Sequence, residues 1–232
     1  MSIRDAFARV SERLDAACLR SGRSRDGVAL MAVTKFHGQD AVLEAHAAGA
    51  RLFGESRVQE AVAKYSSLMP SLPDSELHLL GNLQTNKAKA ATALFSCVQS
   101  VDRDELVREL AKRAAAIGKR LDLLLELHTG EESKAGFADL DSLLRGAELA
   151  LSFPASLRLR GLMTMAPFTD DEALVRSSFR ALVRAQDRLA QLFPEADFSM
   201  LSMGMTNDFE LAVEEGSTLV RVGTAIFAEG SR

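Results

Sequence analysis

The sequence predicts an α/β protein folded as a single (β/α)8 barrel of the TIM type, preceded by an extra N-terminal helix. Three observations predict it. Eight short apolar runs of strand length alternate with segments of helical period. Strands separated by helices need crossover connections, and these give parallel sheets with the helices outside. Finally, 232 residues with 47% hydrophobic side chains can bury a core of this size, since such barrels usually take about 250 residues. An open doubly wound sheet is the alternative arrangement of the same elements.

The opening helix spans Ser2 to Arg20, where Ile3, Phe7, Val10, Leu14 and Cys18 recur every three or four positions and Ser2 with Asp5 resembles a capping box. The turn-like SGRSRDG stretch leads into the first strand, VALMAV, which ends at Thr34 and Lys35. A helical segment from about Ala41, a strand at Arg51 to Phe53, a helix from about Ser56 to Leu68 and a strand at Leu77 to Leu80 follow. Further helices are expected over Thr85 to Leu94, Arg103 to Ile117, Asp139 to Leu151, Asp170 to Phe193 and Asp208 to Glu215. Between them lie strands at Ser96 to Gln99, Leu121 to His128, Leu157 to Met163, Phe198 to Ser202 and Thr218 to Val222. Thr169 and Glu172 suggest a capping box for the helix from Asp170, and its Arg180, Arg184 and Arg188 read as a solvated face. No Pro-rich, Gly/Ser-rich or single-charge block divides the chain, so one domain over 1–232 is expected.

Composition narrows the function. A net charge of −4 offers no basic footprint for nucleic acid or an anionic membrane. No segment approaches 18 apolar residues, and the charged start argues against a secretory signal, so a cytoplasmic protein is expected. Cys18 and Cys97 form no metal or disulfide pattern and read as buried thiols. His37, His46, His78 and His128 lack metal-ligand spacing, and the common nucleotide cradles and the GxSxG elbow are absent. A small ligand remains.

In a parallel barrel that ligand sits where loops leave the carboxyl ends of the strands. Thr34-Lys35-Phe36-His37 follows strand one, Gly54-Glu55-Ser56-Arg57 strand two, and Gly81-Asn82 strand three. Strand six runs into Met163 and Thr164, strand seven into Ser202-Met203-Gly204, and strand eight into Arg221-Val222-Gly223-Thr224. Gly204 and Gly223 stand after strands seven and eight, where barrels bind phosphate through backbone N–H groups, with Ser202 and Thr224 as further donors. Turns alone would also call for these glycines. Lys35 ends an apolar strand, as a partly desolvated amine able to attack a carbonyl, a snorkelling surface residue or a strand-end salt bridge. Arg221 either reaches a ligand or pairs with a carboxylate such as Glu55. His78 either faces the mouth or is a satisfied core histidine.

Seven stretches, AVTKFH at 32–37, FGESRVQE at 53–60, HLLGNLQTNK at 78–87, ESKAGF at 132–137, RLRGLMTM at 158–165, LSMGMTND at 201–208 and STLVRVGTAIF at 217–227, span nearly the whole chain. Their order and spacing resemble the pyridoxal phosphate homeostasis proteins, also called proline synthetase co-transcribed homologues, which share a barrel with the cofactor domain of alanine racemase. The resemblance implies that pyridoxal 5′-phosphate (PLP) is held as a Schiff base on Lys35. It implies a phosphate cradle of Ser202, Gly204, Gly223 and Thr224, with Met203 a further cofactor-binding residue, and Arg221 facing the pyridine nitrogen. Met163 and His78 are implied to line the pocket. Ser56 stands where the family usually carries Asn, and Thr206 replaces the more usual Ser while keeping a hydroxyl for the following helix.

An arginine at the ring nitrogen only donates, so the ring stays an unprotonated acceptor and a poor electron sink. A racemase also needs a second base, and the one tyrosine, Tyr65, is expected roughly 15 Å from the mouth along its helix. These features favour a protein of vitamin B6 homeostasis, a monomer that holds PLP and passes it to amines such as amino acids or apo PLP-dependent enzymes. A low-activity PLP-dependent racemase or lyase using Lys35 with His37 or His78 is the alternative. A PLP-independent enzyme acting on a phosphorylated metabolite is a third.

Overall fold

The computed structural model describes residues 2–130 and 135–227. The ESKAGF stretch therefore lies partly outside the described residues. In chain order the elements are α1 (Ile3–Arg20), β1 (Ala29–Val33), α2 (Gln39–Ala47), β2 (Leu52–Glu55), α3 (Val58–Tyr65), β3 (Glu76–Leu79), α4 (Ala88–Leu94), β4 (Cys97–Val101) and α5 (Asp104–Ala116). They continue with β5 (Leu121–Glu126), α6 (Leu140–Leu151), β6 (Leu157–Met163), α7 (Glu172–Leu192), β7 (Met200–Ser202), α8 (Phe209–Glu214), β8 (Leu219–Val222) and α9 (Thr224–Phe227). The strands close in sequence order, all parallel, with β8 returning to β1. This is the predicted barrel, and the open sheet is excluded.

Parity along the strands separates two cores. Outward residues such as Ala32, Phe53, Leu77, Val98, Leu123, Leu162 and Val220 join the helices in one large cluster, each fully buried Leu or Phe contributing about 1.5–3 kcal/mol. Inward residues Met31, Val33 and Leu219 pack with Leu52, Leu80 and Met200, and Cys97, Leu124 and Met163 form a second interior group. Gly54 faces this interior because a Cβ there would stand 2.7 Å from both Met31 Sδ and Leu80 Cδ1. At Gly161, with φ +147°, a Cβ would lie 1.9 Å from Met200 O, and the β5–β6 register shifts beside it.

Helix α1 starts with Ser2 Oγ accepting from Asp5 N and buries Val10, Leu14, Ala17 and Cys18. It packs against α2, α8 and α9, and so closes the ring of helices beside β1 and β8. Both cysteines are buried free thiols, as expected. The long helix α7 begins two residues later than the capping box suggests: Asp171 Oδ1 accepts from Ala173 N and Leu174 N, a stronger carboxylate cap than Thr169, whose Oγ1 instead accepts from Asp171 N. Its Arg180 is not simply solvated, since its Nε and Nη2 both donate to Glu215. No helix among the described residues is long and apolar enough to cross a membrane.

Candidate functional site at the barrel mouth

Lys35 leaves β1 through a tight turn in which His37 N donates to Thr34 O at 3.1 Å. The turn forces Phe36 to φ +70°, a conformation a bulky residue adopts only under strain. Lys35 is exposed, its amine 5.9 Å from the Phe36 ring centroid, and it pairs with no carboxylate among the described residues. Of the sequence alternatives this favours the snorkelling surface residue over the desolvated amine and the salt bridge. Alternation puts Lys35 on the strand face of Met31 and Val33, the face that lines the barrel.

Thr34, on the opposite face, anchors the turn from beneath. Its buried hydroxyl donates to Glu55 Oε1 at 2.7 Å and lies 2.7 Å from Tyr65 Oη. Because the threonine proton is committed to Glu55, Tyr65 is the donor of the second bond. Lys64 Nζ donates to Thr34 O and to Glu55 Oε1, both at 2.7 Å. Tyr65 is thus directly under Lys35's neighbour rather than distant from the mouth, because its ring carries the hydroxyl back toward β1. Burial raises the Tyr65 phenol well above its ordinary value, opposed by the Thr34 bond. Glu55 is therefore the partner of Lys64, and not of Arg221.

Arg221 is 4% exposed and projects into the barrel from β8. Its Nη1 donates to Ser202 Oγ at 2.6 Å and its Nη2 to Thr164 O at 2.8 Å. Burial depresses the guanidinium to about 10, against Asp208 and Glu126, so it stays charged at neutral pH. Glu126, at the end of β5 and also buried, is pushed up to about 7 by burial and Asp102 against the pull of Arg221. Burial likewise raises the Asp208 carboxyl, which accepts from Met205 N, against Arg221.

Loops seven and eight meet beside β1. Gly223 sits so close to Val33 that a Cβ would lie 3.2 Å from Val33 O, and Thr224 is exposed at the start of α9. Thr206 Oγ1 accepts from Ala225 N at 3.4 Å and bridges the two loops, a role beyond the helix cap expected of it. Gly204, with φ +95°, allows α8 to approach, since a Cβ would meet Ala212 Cβ at 2.5 Å. Ser56 is half-buried after β2, its carbonyl leaving room only for a glycine at Gly81. Met163 is buried at the end of β6.

Three implied site residues are placed differently. Met203 is fully buried among the helices, because it falls on the outward face of β7's continuation. The Ser202 hydroxyl is inside the barrel and donates to Gln99 Oε1 at 2.6 Å. His78 is 2% exposed and belongs to the opposite end of the barrel, between Gln99 and Glu76, lining a cavity of about 530 Å³ with Ala29 and Thr218. Sequence reasoning missed Gln99, Glu126 and Asp208. Polar residues inside otherwise apolar strands were the available signal for the first two.

The alanine racemase, N-terminal domain family matches residues 13–230. The pyridoxal phosphate homeostasis protein of Aquifex aeolicus is 36% identical over 229 residues, 99% of either chain, and that of Pseudomonas aeruginosa 38% over 231 residues, 97% of this chain and 95% of the other. The chain belongs to the pyridoxal phosphate homeostasis protein family. PipY of Synechococcus elongatus, solved with PLP bound, shares the family's barrel with a TM-score of 0.82 and 40% identity, covering 94% of this chain and 99% of that one. Alanine racemase of Clostridium difficile, at 11% identity and a TM-score of 0.75, shares the fold over 96% of this chain and 56% of its own.

Proposed function

We propose that the protein binds PLP at the barrel mouth, as one PLP-binding domain over 1–232, and serves vitamin B6 homeostasis in the cytoplasm. The observation that carries this reading is the facing arrangement of β1 and β8. Met31 is in register with Arg221, and Lys35, on the same face two residues past the end of β1, stands nearer the mouth than that level. The lysine and the arginine therefore lie on adjacent strands at different depths, with room for a ring between their side chains. Gly223 beside Val33, with Thr224 and Thr206 next to it, offers a cradle for a phosphate that a larger residue at 223 would crowd.

The residues fit the cofactor. Lys35 would supply the amine for its aldehyde, Arg221 would be the donor for the ring nitrogen, and Ser56, Met163, Gly204, Gly223 and Thr224 would line its site. Bound PLP would supply an electrophilic carbon and an electron sink, the latter weakened by an arginine at the nitrogen. Holding and release, rather than turnover, follow from the second-base question: Tyr65 is buried and spends its proton on Thr34. Release to amino acids or to apo PLP-dependent enzymes, by a monomer, completes the reading. Purified protein is expected to show an imine absorbance that Lys35→Ala loses, and borohydride reduction with peptide mass mapping should place the label on Lys35. A label elsewhere, or an unchanged spectrum in the variant, rejects the assignment.

Glu126 favours the racemase or lyase alternative more than His37 or His78 does, because a buried carboxyl titrating near 7 beside Arg221 suits a proton carrier. Exchange of an amino acid's α-hydrogen with deuterated solvent, lost in Glu126→Gln, would support it.

A further inference from the structure

Five polar side chains cross the apolar interior of the barrel in single file. Arg221 Nη1 donates to Ser202 Oγ at 2.6 Å, and Ser202 Oγ donates to Gln99 Oε1 at 2.6 Å. Gln99 Nε2 then lies 2.8 Å from His78 Nδ1, and His78 Nε2 lies 3.2 Å from Glu76 Oε2. Ser202 and Gln99 are completely buried, whereas the Glu76 side chain is 67% exposed at the N-terminal end. The file therefore joins the mouth to solvent at the far side of the molecule.

Its direction is dictated from the arginine. A guanidinium only donates, so Ser202 accepts there and has its hydrogen free for Gln99 Oε1. The amide must then present N–H to His78, which leaves Nδ1 bare and the imidazole proton on Nε2, facing Glu76. Every bond runs the same way from the cation to the carboxylate, an arrangement in which each bond polarises the next.

A second proton on His78 cannot enter this arrangement without reversing it. It would sit on Nδ1, opposite the Gln99 N–H group. The amide would have to rotate so that Oε1 accepts from Nδ1–H and Nε2 donates to Ser202. With two donors on its oxygen, Ser202 would then direct its own hydrogen elsewhere. The groups around His78 permit such a proton. Glu76 faces it directly, on β3; Cys97, its neighbour in register on β4, is a buried thiol held neutral by its raised value. Across the cavity Arg51 pairs with Asp74, while Arg158 and Arg160 of β6 hold Asp122 of β5.

We propose that Gln99 and His78 are positioning residues of the mouth: they hold Ser202 and Arg221 in one hydrogen-bond direction, and protonation of His78 through the N-terminal cavity reverses it, freeing the Ser202 hydroxyl for an acceptor on a bound ligand. Only the ligand half of this statement rests on the reading that PLP occupies the mouth.

Two measurements test it. On ligand-free protein, ¹⁵N-histidine NMR from pH 5 to 9, with His78 assigned through His78→Asn, should find the neutral wild-type ring protonated on Nε2. Gln99→Glu replaces the amide donor by an acceptor and should put a proton on Nδ1 at pH values where the wild-type nitrogen is bare. A wild-type proton on Nδ1, or an identical titration in Gln99→Glu, overturns the relay. In the second measurement PLP is titrated into wild type and Gln99→Leu across the same range. Wild-type affinity should change several-fold in step with the His78 titration, and the variant should lose that step while still binding. Coincident pH profiles overturn the coupling. His78→Gln, which cannot take the proton, replaces Gln99→Leu if the latter does not fold. Failure of wild type to bind PLP at all refutes the reading of the mouth, and the NMR measurement still decides the relay.

Discussion

Replacing Lys64 by methionine isolates the cluster that supports the Lys35 turn. Glu55 is fully buried, Lys64 is 11% exposed, and Glu55 Oε2 has no hydrogen-bond partner among the described residues. Lys64→Met keeps the aliphatic stem but leaves the carboxylate with Thr34 as its remaining side-chain donor. Removing one member of a buried pair costs about 3–5 kcal/mol, and the Thr34 carbonyl loses a charged donor as well. A loss of about 4 kcal/mol is expected, which at a urea slope of about 2–3 kcal/mol/M lowers the midpoint by roughly 1.3–2 M. The double variant Glu55→Gln/Lys64→Met removes the stranded charge and should recover about half of that loss. Urea unfolding followed by circular dichroism provides both numbers. A single-variant loss below 1 kcal/mol, or a double variant no better than the single, would refute the view that this pair is a buried and mutually dependent one.

Three further outcomes are expected. Tyr65→Phe removes the donor to Thr34 and should cost about 1 kcal/mol in the same assay; a neutral result would mean that the hydroxyl is not committed there. Glu126 has a folded value of about 7 against an ordinary 4.5, so folding favours its protonated form; its contribution is fully present below about 4.5 and is lost as pH rises toward 7. Glu126→Gln should therefore gain on wild type between pH 5 and pH 8, by on the order of 3 kcal/mol at most, and parallel stability curves would contradict this. Gly161→Ala should destabilise by more than about 3 kcal/mol, since a forced φ and a backbone collision with Met200 add together. A folded variant of wild-type urea midpoint would show that the β6 bulge relaxes freely.

The barrel was legible because its signal is redundant: eight apolar runs and their intervening helices point to one closure, and errors of one to three residues at the ends leave that closure intact. The strand from Phe198 shortened to Met200–Ser202, and the one from Leu121 stopped at Glu126. The positions of Lys35 just after β1 and of Arg221 and Gly223 at the end of β8 were legible because they depend on chain order alone. What depends on which face a residue occupies was illegible. Met203 and Ser202 are adjacent, yet one packs under helices and the other lies within the barrel. Tyr65 misled because rise along a helix ignores the reach of a side chain pointing back, and the partners of Glu55 and Arg221 depend on contacts that spacing does not encode.

The seam between β1 and β8 has a consequence for the order in which the protein matures. Ala29 and Leu219 are neighbours in space although nearly the whole chain separates them, so their pairing is among the slowest contacts to form and among the last available during synthesis. A chain halted before that closure already carries its lysine but has neither the guanidinium nor the final glycine turn opposite it. The two sides of the mouth therefore come to face each other in one step, when the cylinder shuts.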